Sequence, residues 1–327
     1  MLKPILTGEY SHFLPVILCL AFVGFTILFD LNLTLQIAGC LVITLLWYTA
    51  RFGYENDIRY AINNDEYDKA QRLCESAMER FPTDSFALVH AAMVYAGNRQ
   101  FEKAISLSST AIEKGVRLPL AYVVRATAHV ATNNLEEAES DCSAAFNMLS
   151  ADTESLCYFL KAEILTHKGR YEEAIENLTA ASMVHHHSPH VYINRAENYC
   201  RLKDFESAQH DLDLLKHCKT SFSVAATHCI QARLDLLQHK KESALENTTA
   251  AITLIETPAV LASHGFALLR NEKLTEASTY LDKAISMDRF DGEAFWFRAE
   301  LHEKLGNTVK ANLDRAEAEK FGYLPYL

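Results

Sequence analysis

Proline and glycine are scarce, with 7 and 11 in 327 residues. That shortage excludes collagen-like, disordered and loop-rich β architectures. Cysteine occurs 8 times, but Cys74, Cys142, Cys157, Cys200, Cys218 and Cys229 form no C-x-x-C pair and lie within helical patterns. A disulfide scaffold is excluded, and free thiols in helix cores fit a reducing compartment. A basic surplus is missing too. Against 31 Lys and Arg stand 42 Asp and Glu, a net charge of −11. A nucleic-acid binder needs a basic face to displace counterions from phosphates, so none is expected. The first fifty residues have almost no charge of either sign: only Lys3, Glu9 and Asp30. The mean hydropathy of −0.05 therefore averages two unlike parts.

Within the first part, Phe13 to Phe29 reads FLPVILCLAFVGFTILF and Leu33 to Ala50 reads LTLQIAGCLVITLLWYTA, both uncharged. A spanning helix needs about 20 apolar residues at 1.5 Å rise. Two runs of this length, with their only charge at the Asp30 break, predict a transmembrane helical hairpin (13–29 and 33–50) after an N-terminal segment, 1–12. No A-x-A site follows the first run, which disfavours a cleaved signal peptide. Ile37-Ala38-Gly39-Cys40 has the look of a lipoprotein box, but apolar residues follow it where a polar linker belongs. Lys3 precedes the hairpin and Arg51 and Arg59 follow it, so the positive-inside rule puts both ends in the cytoplasm.

Residues 51–327 are internally periodic. Ala70, Ala104, Ala138, Ala174, Ala208, Ala244, Ala277 and Ala311 recur every 33 to 36 residues. Seven residues after each stands a second small or apolar residue. A third column runs Ala92, Ala126, Ala162, Ala196, Ala232, Gly265 and Ala299. Small residues at helical spacing mark close backbone approach, and the bulkier residues around them predict pairs of amphipathic helices. One such pair cannot bury its own apolar stripe, so the units must stack. The fold class is all-α: about eight helix-turn-helix units forming an α-solenoid over 51–327, with a charged capping helix at 309–321. Two 36-residue spacings predict insertions near Ala151–Thr153 and Ser221–Ser223.

The strings YDKAQRLCESAMERFP (67–82), FEKAISLSSTAI (101–112), YEEAIENLTAA (171–181) and LTEASTYLDKAI (274–285) resemble the tetratricopeptide repeat family. The resemblance spans 51–327. It departs where the family's helix-opening Trp is replaced by Tyr54, Leu88, Tyr122, Tyr158, Tyr192, His228, Leu261 and Phe295. It implies a concave groove lined by the first helix of each unit. In the second and third units that groove is expected to present Phe86, Val89, Met93, Leu120, Val123, Thr127 and Val130, an apolar seat for an amphipathic helix or apolar peptide. Farther along it is expected to hold Glu163, His167, Glu197, Arg201, Arg233 and Arg270. Arg201, Arg233 and Arg270 are then placed to pair with partner carboxylates, or else with local acids. A clamp for chaperone tails is disfavoured, because its Lys/Asn slots hold Val89, Met93, Val123 and Thr127.

No P-loop, G-x-G-x-x-G, G-x-S-x-G or H-E-x-x-H string occurs, so no enzyme and no cofactor are expected. His185, His187 and His190 make a candidate metal cluster, weakened by the lack of i, i+4 spacing and of a neighbouring Cys or carboxylate; a polar loop is the simpler reading. The expected function is a membrane-anchored scaffold that binds other proteins through its groove and assembles a membrane complex, with no nucleic acid and no small-molecule substrate. Three alternatives stay open: a constitutive structural subunit of a membrane complex, a periplasm-facing repeat protein of envelope biogenesis, and a metal-responsive protein using the histidine cluster.

Overall fold

The structure is a computed structural model that describes residues 18–23, 40–44, 53–62, 66–80, 84–114, 118–148, 153–184 and 188–325, excluding the side chains of Tyr67 and Phe86. Among these residues there is no β-strand. Fifteen bounded helices follow one another: α1 Tyr67–Arg80, α2 Ser85–Gly97, α3 Phe101–Glu113, α4 Pro119–Ala131, α5 Leu135–Phe146, α6 Glu154–His167, α7 Tyr171–Val184, α8 Pro189–Arg201, α9 Phe205–Leu215, α10 Ser221–Leu237, α11 Lys241–Leu254, α12 Pro258–Arg270, α13 Leu274–Met287, α14 Gly292–Lys304 and α15 Thr308–Lys320. The chain divides into two compact units, residues 1–125 and 126–327.

The alanine columns explain the pairing. All eight alanines of the first column have no exposed surface, and Ala92, Ala126, Ala196 and Ala299 of the third are equally buried. A methyl at each crossing lets two helices approach closely while leaving no void. In the first unit α2 packs on α1 and α3; in the second, α10 pairs with α11, α12 with α13 and α14 with α15. Leu261, Phe266, Leu281 and Phe297 belong to one core cluster, where the Phe266 and Phe297 rings stack at 3.9 Å.

The turns inside the pairs repeat with the same period. Arg99, Asn133, Gly169, Lys203, His239, Glu272 and Gly306 all take positive φ, between 58° and 74°. Each closes the preceding helix with a hydrogen bond from the next residue's N–H back to the carbonyl five positions before that donor. Examples are Asn134 N to His129 O at 2.8 Å and Asn307 N to His302 O at 2.8 Å. This is the left-handed cap that satisfies the last carbonyls and reverses the chain within three residues.

Residues 221–223, where an insertion is expected, lie in a helix. They form the first turn of α10, because the Thr220 hydroxyl caps it by accepting from Ser223 N at 3.2 Å. The extra residues lengthen that helix to 17. The last helix runs Thr308–Lys320 rather than 309–321.

Of the expected hairpin, only 18–23 and 40–44 are described, and both are helical. Cys19 Sγ donates to Cys40 O at 3.6 Å and Cys40 Sγ to Cys19 O at 3.8 Å, so the two segments lie side by side. Most of the expected spans at 13–29 and 33–50 falls outside the described residues. No helix among the described residues is long and apolar enough to cross a membrane.

Candidate functional site

The second unit contains a groove floored by the inner faces of its first helices, α6, α8, α10, α12 and α14. Four residues of an α-helix bring a side chain back to the same face. Glu163 and His167 on α6, Glu197 and Arg201 on α8, and Arg233 on α10 therefore share the groove side of successive units. Arg233 joins two helices: Nη1 lies 2.9 Å from Glu197 Oε1 and 2.7 Å from Glu293 Oε1, the latter at the start of α14. Arg201 Nε sits 3.4 Å from Glu197 Oε1. Arg270 pairs with Glu300 at 3.1 Å. Three of the arginines expected to meet partner carboxylates thus already hold acids of their own chain.

These pairs lie under limited water. Arg201, Arg233, Glu197 and Glu293 are 11 to 15% exposed, which strengthens the attraction between them while raising the cost of removing either partner. Burial pushes the Glu163 carboxyl up to about 7. It pushes His167 down to about 4, with the Arg201 guanidinium adding to the effect. Glu300 is also raised by burial, although Arg270 pulls the other way. The cause throughout is desolvation of the charged form in a crowded concave floor.

The stretch after α15 crosses this groove. Gly322 takes φ +71° and Tyr323 N returns to Ala318 O at 3.0 Å, so the chain turns inward. Phe321 meets Phe290 edge-on at 5.5 Å, and Tyr323 lies 6.1 Å from Trp296 and 6.3 Å from Phe297. On the opposite wall, Asn133 Nδ2 donates to Lys320 O at 3.1 Å, and Arg201 Nη1 donates to Leu324 O at 3.0 Å. The approach is tight: a Cβ added at Gly322 would collide with Asn133 Oδ1, and one at Gly169 would stand 3.2 Å from Leu324 Cδ1. Tyr323 is raised by burial beside Glu293, Arg233, Arg201 and Glu197, and among the described residues its hydroxyl has no hydrogen-bond partner.

The residues expected to form an apolar seat are placed differently. Val89, Val123 and Val130 are buried between helices; Val89 belongs to a core cluster with Leu88, Ala111 and Ala121, against which Leu120 packs. Their side chains pack in the interior. Met93, Leu120 and Thr127 are half-buried, and the Phe86 side chain is outside the described residues. His185 and His187 lie outside them too. His190 tilts against the Phe222 ring at 5.3 Å. Among the described residues no three His, Cys, Asp or Glu side chains converge as metal ligands. The thiols are poor nucleophiles: burial pushes Cys74, Cys142 and Cys200 up to about 12 and Cys229 up to about 11, which keeps them protonated at neutral pH.

Sequence reasoning missed Glu293, Glu300, Tyr323 and Leu324. Glu300 was within reach, since it continues the column of Glu163, Glu197 and Arg233. Glu293 stands a full two turns earlier on its helix. It meets Arg233 only because stacking brings α14 toward α10, and no local pattern reports that.

Tetratricopeptide repeat family models match residues 156–182, covering α6 and most of α7, and residues 264–320, from α12 to the end of α15. The chain contains tetratricopeptide repeats. Several solved structures are similar in fold. The APC/C Cut9–Hcn1 hetero-tetramer matches at TM-score 0.57 and 12% identity over 78% of this chain and 50% of that one. A monomeric IFIT1 mutant matches at TM-score 0.57 and 15% identity over 78% and 67%. Yeast Tom70 matches at TM-score 0.50 and 18% identity over 79% and 58%. The chain thus spans about half to two thirds of the length of these proteins. No curated protein matches the sequence. At these identities the likeness establishes an all-helical repeat fold.

Proposed function

We propose that this protein is a membrane-anchored scaffold: a helical hairpin at residues 13–50 fixes it at a bilayer, and the groove of the repeat array binds proteins to assemble a membrane-associated complex. The observation that carries the binding half is the groove itself. Its floor is a lattice of ion pairs that link helices of different units, and such a polar floor suits recognition of a peptide backbone and its side chains. The anchoring half is supported by the two uncharged runs, 17 and 18 residues long, and by the reciprocal Cys19–Cys40 contact that sets residues 18–23 beside residues 40–44. The net charge of −11, almost wholly outside the first fifty residues, opposes contact with anionic headgroups. The hairpin is therefore the element that holds the membrane.

A photo-crosslinking amino acid in the groove at Arg270, compared with one at Leu313 on the exposed face of α15, tests the binding half. Discrete adducts from Arg270 alone, formed in native membranes, are expected. An identical pattern from both positions would refute groove binding. Deleting residues 1–50 is expected to move the protein from the membrane to the soluble fraction; continued sedimentation would transfer the anchoring role to a partner.

A further inference from the structure

The groove of the second unit is already filled, and its occupant indicates what it recognises. Residues 321–325 leave α15, enter between the walls of the groove and contact both. Tyr323 descends among Glu197, Arg201, Arg233 and Glu293. Arg201 holds the Leu324 carbonyl at 3.0 Å. The Leu324 side chain reaches the turn at Gly169, where a single added carbon would be 3.2 Å away. These are the contacts of a bound peptide: a side chain in a slot, a backbone carbonyl on a fixed donor, and a second side chain on the rim.

The fit has one defect. Among the described residues the buried Tyr323 hydroxyl has no hydrogen-bond partner, although the slot is lined by charged groups engaged with one another. A hydroxyl stripped of water and left unpaired weakens the bound state. A phenylalanine in the same position would keep the ring contacts with Trp296 and Phe297 and lose the penalty. The segment is thus held by proximity, since a tethered ligand sees its site at an effective concentration in the millimolar range, and not by an optimal fit. Leu324 is 38% exposed, so it offers only a rim contact.

We propose that residues 321–325 are an internal ligand that closes the groove, and that a partner opens it by inserting an extended aromatic–leucine segment, phenylalanine–leucine in preference to tyrosine–leucine, in place of Tyr323 and Leu324. This rests on the protein-binding reading of the groove given above and specifies what that groove takes.

The test uses the full chain and a fluorescein-labelled peptide of its own residues 319–325, EKFGYLP, read by fluorescence polarisation. A chain carrying Tyr323→Ser and Leu324→Ser has an emptied groove. It is expected to bind the peptide at least tenfold more tightly than the wild-type chain, whose internal copy competes. Leu324→Ser alone, a rim change that leaves the aromatic packing intact, is expected to give an intermediate affinity. Replacing the peptide's tyrosine by phenylalanine is expected to tighten binding about tenfold, and replacing it by alanine to abolish it. Equal affinity for wild type and both variants would overturn the proposal. So would absence of binding to both variants when their circular dichroism matches wild type, or equal binding of the alanine peptide. Such a failure, with Arg270 crosslinks still forming in membranes, would leave the scaffold reading intact. Loss of those crosslinks would remove the scaffold reading itself.

Discussion

Asp211→Ala should be among the most damaging single substitutions in the second unit. Asp211 has a side chain 1% exposed on α9, and Arg195 on α8 grips it with two parallel bonds: Nε to Oδ2 at 2.8 Å and Nη2 to Oδ1 at 2.6 Å. The remaining guanidinium nitrogen donates to Thr179 Oγ1 on α7 at 3.2 Å. One arginine thereby ties three consecutive helices together. The pair raises the Arg195 pKa, so the guanidinium stays charged throughout. Removing the carboxylate forfeits two charge-assisted bonds and leaves a cation 13% exposed without its counterion, a loss of about 3–5 kcal/mol. Replacing both partners, Arg195→Met with Asp211→Leu, removes the buried charge as well as the bonds and should fall within about 1 kcal/mol of wild type. By contrast, Lys283→Ala breaks a pair whose side chains are 45 and 52% exposed and should cost at most about 1 kcal/mol. Repeat arrays need not unfold as one unit. The assay is therefore amide hydrogen exchange across α7, α8 and α9, alongside the urea midpoint. Protection should collapse in those helices first. An Asp211→Ala cost no greater than that of Lys283→Ala would refute the reasoning, and so would a double variant as weak as the single.

Gly265→Ala should destabilise by about 1–3 kcal/mol despite alanine's better helix propensity, because the added Cβ would stand 2.7 Å from Leu281 Cγ and 3.3 Å from Leu281 N; a rise in the melting temperature would contradict this. His239 is exposed and takes φ 62° without being glycine, so His239→Gly should stabilise by about 0.5–1 kcal/mol, measured as an upward shift of the thermal midpoint. Glu163 and His167 set opposing pH dependences. The raised Glu163 carboxyl stabilises fully below its ordinary value of 4.5, and the gain disappears as pH rises through about 7. The depressed His167 stabilises fully above 6.5, and the gain disappears as pH falls through about 4. The two effects oppose each other between those limits, so Glu163→Gln should raise the urea midpoint more at pH 8 than at pH 5; an equal shift at both would show that Glu163 titrates normally.

How much of this was legible in the sequence depends on the range of the interaction. The alanine columns revealed helix pairing because close approach of two helices thirty residues apart demands a small residue at one fixed position. The left-handed turns were less visible. Only Gly169 and Gly306 announce themselves, whereas Arg99, Lys203, His239 and Glu272 are forced into the same conformation by the helices they join. The insertion near Ser221–Ser223 lies inside α10, where the Thr220 hydroxyl caps the helix start. Glu197, Arg201, Arg233 and Arg270, expected on the groove face, take part in ion pairs within the chain. Val89, Val123 and Val130 lie on first helices too, but packing took them into the interior, because apolar groups on a shared helix face bury wherever a neighbour is available.

By itself the sequence determined the local and the periodic: uncharged runs flanking Asp30, repeats of about 34 residues, helices that must stack, and acids and arginines in register along one face. Those follow from spacing along the chain, which folding preserves. The tertiary structure alone decided who pairs with whom across units. It joined Arg233 to Glu293 sixty residues away, set Asn133 against Lys320, and turned Tyr323 into a groove whose walls come from α8, α10 and α14. The physical reason is that each unit adds a small rotation to the one before it. Contacts between distant units depend on the sum of those rotations, and no single stretch of sequence contains that sum.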